Sequence, residues 1–381
     1  MAKITMAAPF HTRGRYQGGI SALVNAVMRH DGMSELFGAD VVPFETCRMD
    51  RHGSPAAAVN LTNIRNFIKI YVDLPRELEA AGSTCLYYHS AAGLALLKDL
   101  LAMRKVKRKM GVSTVLHIHY ADYEKIMTGN AAVDALILRL MRKYVDYVVF
   151  LSRKTMKEFV AHGIPEARSR VIYNFSTITY SRDEIDDHLS RPAQKRQFLF
   201  VGSIDDRKGI FDALSCMADL EEDFTLHVCG DFGNEADRRR FESYAAHLGD
   251  KLVYHGYVVG EEKRRRFLEA DVLLLPSIGE GFPVVIPEAF SAACGIVTTD
   301  VGAIPEVVGE ENGCVVAPSD QTALREAIVS YIEMDAATLA EQKEHNYLLS
   351  GAYTITHFIE ALGSVCREAG ADGANKTDCD C

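Results

Sequence analysis

The sequence predicts an α/β protein with two doubly wound parallel sheets, one in each half of the chain. Short apolar segments alternate with stretches of helical periodicity along nearly the whole sequence, which is typical of βαβ units. The chain has 381 residues, a length that is large for one domain and comfortable for two. Each half has enough alternating elements for a sheet of its own, so we expect two domains.

The candidate strands are short apolar segments that recur through both halves of the chain. In the first half they cover residues 3–8, 40–44, 84–89, 114–119, 146–151 and 170–173. In the second half they cover residues 197–202, 224–230, 251–255, 271–276, 295–299 and 313–316. Helical periodicity fills most of the gaps, for example in residues 20–28 and 134–144, and predicts the helices between the strands.

A polar segment divides the two sets of elements. Residues 176–196 are rich in charge and lack strong periodicity, so we interpret them as a linker. Residues 1–175 then form the N-terminal domain, and residues 197–345 form the C-terminal domain. Residues 346–367 contain an amphipathic helix, and the polar residues 368–381 are predicted to be a disordered tail.

Composition limits the class of protein. Hydrophobic residues make up 48% of the chain and charged residues 25%, which is ordinary for a soluble globular protein. A formal net charge of −10 argues against a nucleic-acid binder, and no apolar run approaches the roughly 20 residues of a membrane-spanning helix. The odd count of nine cysteines fits reduced thiols, so we expect a cytoplasmic protein without a disulfide framework.

The most informative motif is a pair of glutamates, Glu280 and Glu288, on either side of a predicted strand-to-helix turn. The apolar run 272–275 ends at Pro276, and small apolar residues after Glu288 predict a helix. Ligands of open parallel sheets bind outside the carboxyl ends of the strands. Carboxylates accept hydrogen bonds from hydroxyl groups. The pair therefore suits a ligand with two sets of hydroxyls, such as a nucleotide sugar.

Two cations lie on the loop that follows the first predicted strand of the second half. Arg207 and Lys208 come directly before a predicted helix, where backbone N–H groups and the positive helix end favour an anion. A diphosphate contact is the functional interpretation. Two solvated cations on an exposed loop are the alternative, which would be preferred if the facing glutamates were absent.

Glycines and histidines mark the predicted strand ends of the first half. Gly18 and Gly19 precede a helix and would let the backbone approach a ligand, although many loops use glycine in this way. His119 shares one face of its strand with His117, and His89 ends the preceding strand. A structural role suits each histidine as well as a functional one. No third ligand accompanies a pair in the sequence, so no metal site is predicted.

A basic segment follows an apolar helical stretch in the first half. Residues 104–109 are all Arg or Lys except Val106, and Lys98 precedes them. In an acidic protein, such a local excess of positive charge suits anionic lipid headgroups at a membrane surface. A solvated helix end is the alternative interpretation.

In combination, these motifs resemble glycosyltransferase family 4, whose members are retaining enzymes of the GT-B fold. The resemblance covers most of the chain and is densest in residues 198–317. The family's E-x7-E motif corresponds to Glu280 and Glu288, and its lysine- and glycine-containing loop corresponds to residues 202–209. Residues 301–316 are also similar to the family's pattern. The GT-B fold implies two Rossmann-like domains that face each other across a cleft, and a C-terminal helix that crosses back to the first domain.

The resemblance also implies roles for individual residues. Glu288 would bind the ribose hydroxyls of the donor, and Glu280 would lie against the transferred sugar. Lys208 would neutralise the diphosphate, and His119 would lie near the transferred sugar. The further donor-binding residues implied by the resemblance are Arg207, Ser203, Gly281, Phe282, Pro283, Val284, Tyr257, Gly18 and Gly19.

The implied activity is transfer of a sugar from a nucleotide diphosphate sugar, with a UDP-sugar as the first choice. The acceptor would be a hydroxyl of a glycan or a lipid-linked molecule, as in polysaccharide or glycolipid biosynthesis. No metal or other cofactor is required by the motifs, and no nucleic acid is an expected partner. The basic segment adds an expected contact with the inner face of an anionic membrane.

Two positions depart from the family's pattern. Ser203 stands where the family usually has arginine, and Pro283 stands where glycine is common and removes a backbone N–H. Two consequences are open: either Arg207 supplies the missing positive charge, or the diphosphate is held more weakly. Two alternatives remain open: another enzyme of the same fold, such as a sugar phosphorylase or a nucleotide-sugar epimerase, or a nucleotide-sugar-binding protein without turnover.

Overall fold

A computed structural model describes residues 2–10, 19–47, 61–191 and 195–377, which form two compact units. The first unit consists of the described residues of Met1–Asn174 and Ile355–Cys381, and the second unit is Phe175–Thr354. Each unit contains one six-stranded sheet in which all the strand pairs are parallel. The prediction of two parallel α/β sheets is therefore confirmed.

The strands of each sheet follow one another along the chain. In the first unit they are β1 (Lys3–Ala8), β2 (Asp40–Glu45), β3 (Cys85–Ser90), β4 (Ser113–Ile118), β5 (Tyr147–Phe150) and β6 (Ser169–Val171). In the second unit they are β7 (Arg196–Val201), β8 (Phe224–Cys229), β9 (Leu252–Gly256), β10 (Val272–Leu275), β11 (Gly295–Thr299) and β12 (Gly313–Val316).

Helices lie in the connections between these strands, and three more follow the last strand. Those up to the end of the first sheet are α1 (Gly19–Arg29), α2 (Met33–Phe37), α3 (Leu61–Ala81), α4 (Leu94–Met110), α5 (Tyr123–Ile126), α6 (Ala131–Tyr144) and α7 (Arg153–Ala161). Those that follow are α8 (Arg182–Leu189), α9 (Ile210–Met217), α10 (Glu235–Leu248), α11 (Gly260–Glu269), α12 (Val285–Ser291), α13 (Gln321–Glu333), α14 (Ala336–Ser350) and α15 (Ile355–Thr377).

Strand order reverses once in each sheet. The first sheet has the order β2-β1-β3-β4-β5-β6, and the second has the order β12-β11-β10-β7-β8-β9. In doubly wound sheets, the crevice at the carboxyl ends of the strands where the order reverses is the usual ligand site. In the second unit this point lies between β7 and β10, which pair directly. The loops after these two strands therefore define the place to look for a ligand.

The main hydrophobic cluster of each unit packs one face of its sheet against helices. In the second unit, Phe198 and Phe200 of β7 are fully buried and pack in one cluster with Phe211 and Leu214 of α9. The strands of this sheet are apolar because both of their faces are covered, as expected for parallel strands. The buried packing of β7 against α9 fixes the position of the loop that connects these two elements.

Helix α15 belongs to the first unit by its contacts, although it follows the second unit in sequence. The guanidinium of Arg367 donates to the carbonyl oxygen of Phe37 at 2.5 Å, and Ser113 Oγ donates to the carbonyl oxygen of Ala369 at 2.8 Å. Gly363 packs closely on α2, because a Cβ atom there would lie 2.3 Å from the Phe37 carbonyl oxygen. The expected C-terminal helix therefore packs on the first unit.

The C-terminal tail differs from the sequence prediction, and the predicted linker contains one short helix. The tail predicted to be disordered from residue 368 continues α15 as far as Thr377, and residues 378–381 lie outside the described part of the chain. The buried side chain of Ala369 explains the extension, because it anchors another turn of the helix to the first unit. Within the predicted linker, α8 forms a helix whose N-terminus has a capping box made by Ser181 and Glu184.

Among the residues that the structure describes, no helix combines the length and the apolar character needed to cross a membrane.

Candidate functional site

The two glutamates lie on the segment that connects β10 to α12 in the second unit. The loop between the end of β10 and Val285 carries Glu280, and the first turn of α12 carries Glu288. Because β10 pairs with β7 where the strand order reverses, this segment lies beside the loop after β7. The structure thus brings the glutamate segment next to Lys208, as expected from the strand ends.

Close backbone contacts hold the two loops against each other. The N–H of Ile278 donates to the carbonyl oxygen of Arg207 at 2.9 Å. Gly209 has a φ of +70°, and a Cβ atom there would lie 1.9 Å from the carbonyl oxygen of Pro276. Glycine alone accommodates both this conformation and this close approach. The position of Lys208 relative to the glutamate segment is therefore set by the backbone.

Lys208 and Glu280 form an ion pair within this site. The Nζ atom of Lys208 lies 2.6 Å from Oε1 of Glu280, and the two side chains are 16% and 9% exposed. Charges that are so little exposed attract each other more strongly than a surface pair. The sequence predicted both residues at the site but not that they would pair, so the lysine charge is directed at the glutamate.

Glu288 is fully buried. Its Oε1 atom accepts hydrogen bonds from the hydroxyl of Thr177 and, at 2.6 Å, from Nζ of Lys263. Its Oε2 atom is buried and has no hydrogen-bond partner among the described residues. A buried acceptor without a donor costs about 1–3 kcal/mol. A hydroxyl of a ligand that reached Oε2 would remove this cost.

The two partners of Glu288 were not predicted from the sequence. Lys263 lies on α11, and Thr177 lies near the start of the second unit, 111 positions before Glu288. Each is one polar residue in a polar segment, so no local pattern distinguishes it from its neighbours. Only the folding of α11 against the glutamate segment reveals that Lys263 is a cation of this site.

The loop after β7 places Arg207 beside Ser203. The Nη2 atom of Arg207 donates to Oγ of Ser203 at 3.4 Å, and the arginine side chain is 55% exposed. Asp205 organises the loop, because its carboxylate accepts from Ser203 Oγ at 2.7 Å and from the N–H of Lys208 at 3.0 Å. The guanidinium of Arg207 therefore lies within hydrogen-bond distance of Ser203.

The remaining residues of the glutamate loop present mainly backbone. The carbonyl oxygen of Gly281 accepts from the N–H of Ala303 at 2.9 Å, which ties the loop to the segment after β11. The side chain of Phe282 is 3% exposed, Pro283 is buried, and Val284 is the residue before α12. Any contact of Phe282 with a ligand would therefore come from its main chain.

Three other predicted donor-binding residues lie on different segments. Tyr257 follows β9 directly and is 39% exposed, and Gly256 before it has a φ of +71°. Gly19 is the first residue of α1. Gly18 lies outside the described residues.

Three histidines lie together at the carboxyl ends of β3 and β4 in the first unit. His89 is paired with His117 in the register of these strands, and Nδ1 of His89 lies 2.6 Å from Nε2 of His119. Burial lowers the pKa values of His89 and His117 well below the usual value and lowers the pKa of His119 to about 3. All three imidazoles are therefore neutral at physiological pH. The sequence placed His117 and His119 on one face of the same strand, and the pairing of β3 with β4 adds His89 to them.

The basic segment lines a cavity of the first unit. The cavity has a volume of about 390 Å³ and is lined by Tyr71, Leu101, Arg104, Lys105, Arg108 and Lys109. Nζ of Lys105 donates to the carbonyl oxygen of Tyr71 at 2.7 Å and lies 4.1 Å from the centre of the Tyr71 ring. Helix α3 continues this surface with a row of exposed apolar side chains, namely Leu61, Ile64, Ile68 and Tyr71.

The chain matches two family models that cover most of its length. Residues 43–176 match the model described as Glycosyltransferase Family 4, and residues 181–348 match the model described as Glycosyl transferases group 1. The second match contains the whole glutamate segment and the loop after β7.

Curated relatives are similar over part of their length. The alpha-galactosylglucosyldiacylglycerol synthase of Streptococcus pneumoniae is 25% identical over 270 residues, which are 66% of this chain and 69% of that protein. The phosphatidyl-myo-inositol mannosyltransferase of Mycobacterium leprae is 28% identical over 173 residues, which are 44% of either chain. The chain thus spans less than half of the mannosyltransferase in that alignment.

Solved structures share the fold over nearly the whole chain. Sucrose-phosphate synthase from Thermosynechococcus elongatus has a TM-score of 0.73 at 18% identity, with 98% of this chain and 100% of that chain covered. Anabaena HepE in complex with UDP-glucose has a TM-score of 0.68 at 16% identity, with 97% and 100% covered. At these identities the likeness establishes the two-sheet fold.

Proposed function

Since the chain belongs to glycosyltransferase family 4 and has the GT-B fold, we propose that it transfers a sugar from a UDP-sugar to an acceptor hydroxyl. The transfer proceeds with retention at the anomeric carbon and serves polysaccharide or glycolipid biosynthesis. The observation that carries the proposal is a pair of little-exposed carboxylates, each bonded to a lysine, where the strand order of the second sheet reverses. The glycolipid-synthase relative and the UDP-glucose complex of HepE support the choice of donor and pathway.

Glu288 is assigned to the ribose of the donor. Its Oε2 atom is a buried acceptor without a partner among the described residues, and a ribose hydroxyl is a donor of the right kind. The neighbouring hydroxyl of the ribose would compete with Thr177 and Lys263 for Oε1. A charged acceptor makes a stronger hydrogen bond than a neutral one, which explains a carboxylate at this position.

Lys208 and Glu280 are assigned to the reacting half of the donor. The diphosphate draws Lys208 away from Glu280, and a hydroxyl of the transferred sugar takes the lysine's place on the carboxylate. Arg207 adds a second positive charge to the diphosphate from the exposed side of the same loop. The backbone of Gly281 to Val284 and the segment around Tyr257 complete the donor contacts.

In the proposed reaction, the bond between the anomeric carbon and the diphosphate oxygen breaks while a bond from the acceptor oxygen forms on the same face of the sugar. The proton of the acceptor hydroxyl passes to the leaving diphosphate oxygen. Negative charge accumulates on the diphosphate, so Lys208 and Arg207 contribute by stabilising the leaving group, which is commonly a large catalytic term. We assign His119 to a position near the transferred sugar, and Gly18 and Gly19 to donor binding.

The acceptor is proposed to be lipid-linked and to be met at an anionic membrane surface. Helix α3 exposes Leu61, Ile64 and Ile68, which follow one another at helical spacing. Beside them, the cavity lined by the basic residues of α4 offers positive charge. An apolar row next to a basic patch is the combination that binds the headgroup region of anionic bilayers.

A binding protein without turnover is disfavoured by the position of Arg207. Ser203 lacks the charge that the family usually has, but the guanidinium of Arg207 reaches its hydroxyl at 3.4 Å. The positive charge needed by a leaving diphosphate is therefore present near that position.

A donor screen by thermal unfolding tests the proposal. UDP-, GDP- and ADP-sugars are added to the full chain and to two variants, Glu288→Gln and Glu261→Gln. Glu261 is the matched control, because it lies on α11 with 80% of its side chain exposed. We expect a UDP-sugar to stabilise the parent and the control, and to stabilise Glu288→Gln much less. Equal stabilisation of Glu288→Gln would refute the ribose assignment.

A further inference from the structure

We propose that His89, His117 and His119 form a binding site for a divalent transition-metal ion of the zinc class. The site belongs to the first unit and includes His119, which is also assigned a role in the proposed sugar transfer. The inference rests on three nitrogen ligands within reach of one ion and on two buried imidazole nitrogens that have no partner among the described residues.

The geometry of the cluster is close to that of a metal site. One nitrogen atom from each of the three histidines lies within 4.8 Å of the other two. Zinc–nitrogen bonds of about 2.0–2.1 Å in tetrahedral geometry place ligand nitrogens roughly 3.4 Å apart. The rings already lie near each other, with centres 4.1 Å apart for His117 and His119 and 4.9 Å apart for His89 and His119. The remaining difference is of the size that rotations of the imidazole rings provide.

The hydrogen bonds of the cluster leave ligand atoms available. Nε2 of His89 and Nε2 of His117 are buried and have no hydrogen-bond partner in the described part of the chain. Nδ1 of His117 is bonded to the hydroxyl of Tyr87, which is itself buried. Metal-ligating histidines commonly use their second nitrogen in such a bond, which fixes the ring and the tautomer. Tyr87 therefore leaves Nε2 as the ligand atom of His117.

The position of the cluster allows an ion to enter. His89 and His117 are buried, whereas His119 follows the end of β4 and is partly exposed. An ion can therefore reach the cluster from the side of His119.

The ligand set selects the class of ion. The cluster that the structure brings together contains three imidazoles and no carboxylate. Magnesium and calcium prefer oxygen ligands, whereas imidazole suits zinc, copper, nickel and cobalt. Three protein ligands leave one coordination position open for water or another small ligand.

The competing explanation is a stack of neutral histidines that hydrogen-bond to one another without an ion. The contact between His89 Nδ1 and His119 Nε2 at 2.6 Å is compatible with that arrangement. It leaves Nε2 of His89 and Nε2 of His117 buried without a hydrogen-bond partner among the described residues. The two explanations differ in what the protein does when a metal ion is supplied.

Cobalt titration of the full, chelator-treated chain tests the proposal. We expect about one equivalent of Co²⁺ to bind and to produce visible absorption bands of a four- or five-coordinate ion, and Zn²⁺ to displace them. His119→Asn should weaken binding more than about 100-fold, since it removes a ligand from the exposed side of the cluster. Tyr87→Phe should weaken it about 10- to 100-fold, as is usual for partners of metal ligands.

The second unit offers a matched control. His227 and His255 are also stacked, with ring centres 5.2 Å apart and nitrogens 2.9 Å apart, but they have no third candidate ligand among the described residues. His255→Asn should leave the Co²⁺ spectrum and stoichiometry unchanged. Absence of stoichiometric binding to the parent, or unchanged affinity in His119→Asn, would overturn the proposal. Circular dichroism confirms that each variant is folded, and since no sugar donor is used, the result does not depend on the proposed transferase activity.

Discussion

The Nζ atom of Lys208 lies 2.6 Å from Oε1 of Glu280, so the cation assigned to the diphosphate and the carboxylate assigned to the sugar neutralise each other. Without a donor, neither charge is left alone in a region that is little exposed. A donor supplies a partner for each, namely an anionic diphosphate for the lysine and a hydroxyl for the glutamate. After this exchange of partners, Lys208 contacts the leaving diphosphate and Glu280 contacts the transferred sugar, which are the two groups joined by the bond that breaks.

Removing the lysine should abolish most of the turnover. In Lys208→Met, the leaving diphosphate loses its nearest cation, and we expect kcat to fall about 100- to 1000-fold, as when one stabilising group is removed. Nucleotide release from the best donor gives the rate. Lys195→Met is the control, because Lys195 forms an exposed pair with Asp223 on the same unit. Equal losses in the two variants would contradict the role of Lys208.

Removing the partner of the buried glutamate should destabilise the second unit. Lys263→Met leaves the Glu288 carboxylate without its cation, and we expect the free energy of unfolding to fall by roughly 3 kcal/mol. Combining it with Glu288→Gln removes the buried charge and should recover most of that loss. Urea unfolding of the parent, both single variants and the double variant measures the coupling. Strictly additive losses would show that the two residues do not depend on each other.

Arg207 should supply the charge that Ser203 lacks. We expect Arg207→Ala to raise the KM for the donor about 10-fold, because the donor loses one exposed, charged hydrogen bond to its phosphate. Ser203→Arg in the Arg207→Ala background should restore much of that affinity, because it returns a guanidinium to the same loop. Initial rates over a range of donor concentrations give KM for the parent, Arg207→Ala and the double variant. No rescue by Ser203→Arg would mean that Arg207 does not replace the missing arginine.

The second unit should lose stability at acidic pH because of His188. This side chain is buried on α8, and its pKa is lowered to about 3, mainly by burial and then by the cation of Lys343, with Asp271 acting in the opposite direction. In the unfolded chain the pKa is about 6.5, so the unfolded state binds more protons between these values and the free energy of unfolding falls as the pH drops. At pH 5 the loss from this residue is about 2 kcal/mol.

The variant His188→Asn isolates this contribution. Urea unfolding at pH 7.5 and pH 5 should show a difference in unfolding free energy that is about 2 kcal/mol smaller in the variant than in the parent. The comparison between the two proteins cancels the other titrating groups. An identical pH dependence in both would show that His188 is not the group responsible.

Membrane binding should depend on the apolar row of α3. We expect Ile64→Ser together with Ile68→Ser to reduce co-sedimentation with vesicles of anionic lipid several-fold, because both side chains are exposed at the same face. Leu348→Ser is the control, since Leu348 is 67% exposed on α14 of the second unit. Arg104→Gln should also weaken binding, by roughly 1 kcal/mol near an anionic surface. Equal sedimentation of the parent and the α3 variant would exclude this surface as the contact.

Local patterns were enough to predict the sheets and part of the site. Alternating apolar and helical segments specify βαβ units, and the carboxyl ends of parallel strands meet at one edge, so Lys208 and Glu280 could be expected near each other. Their hydrogen bond to each other depends on side-chain conformations and on the close approach of Gly209 to Pro276. Such details follow from tertiary packing and have no periodic signal.

Contacts between distant segments account for what was missed. Lys263 and Thr177 reach Glu288 from a helix and from the start of the second unit, and no local sequence pattern distinguishes either of them. His89 joins His117 only because β3 and β4 pair in register. Residues 368–381 look polar in sequence, and the buried residue Ala369 shows why the turn of α15 around it packs on the first unit.

The placement of α15 also constrains the order in which the protein can be completed. The second unit is one continuous segment, Phe175–Thr354, whereas the first unit needs residues from both sides of it. During synthesis, domains usually form from the N-terminus onward. Here the first unit cannot complete its fold until the second unit has been synthesised. Until then, the surface of α2 and β4 that α15 covers is exposed to solvent. Truncation before Ile355 should therefore damage the half of the molecule that lies farthest from the cut in sequence.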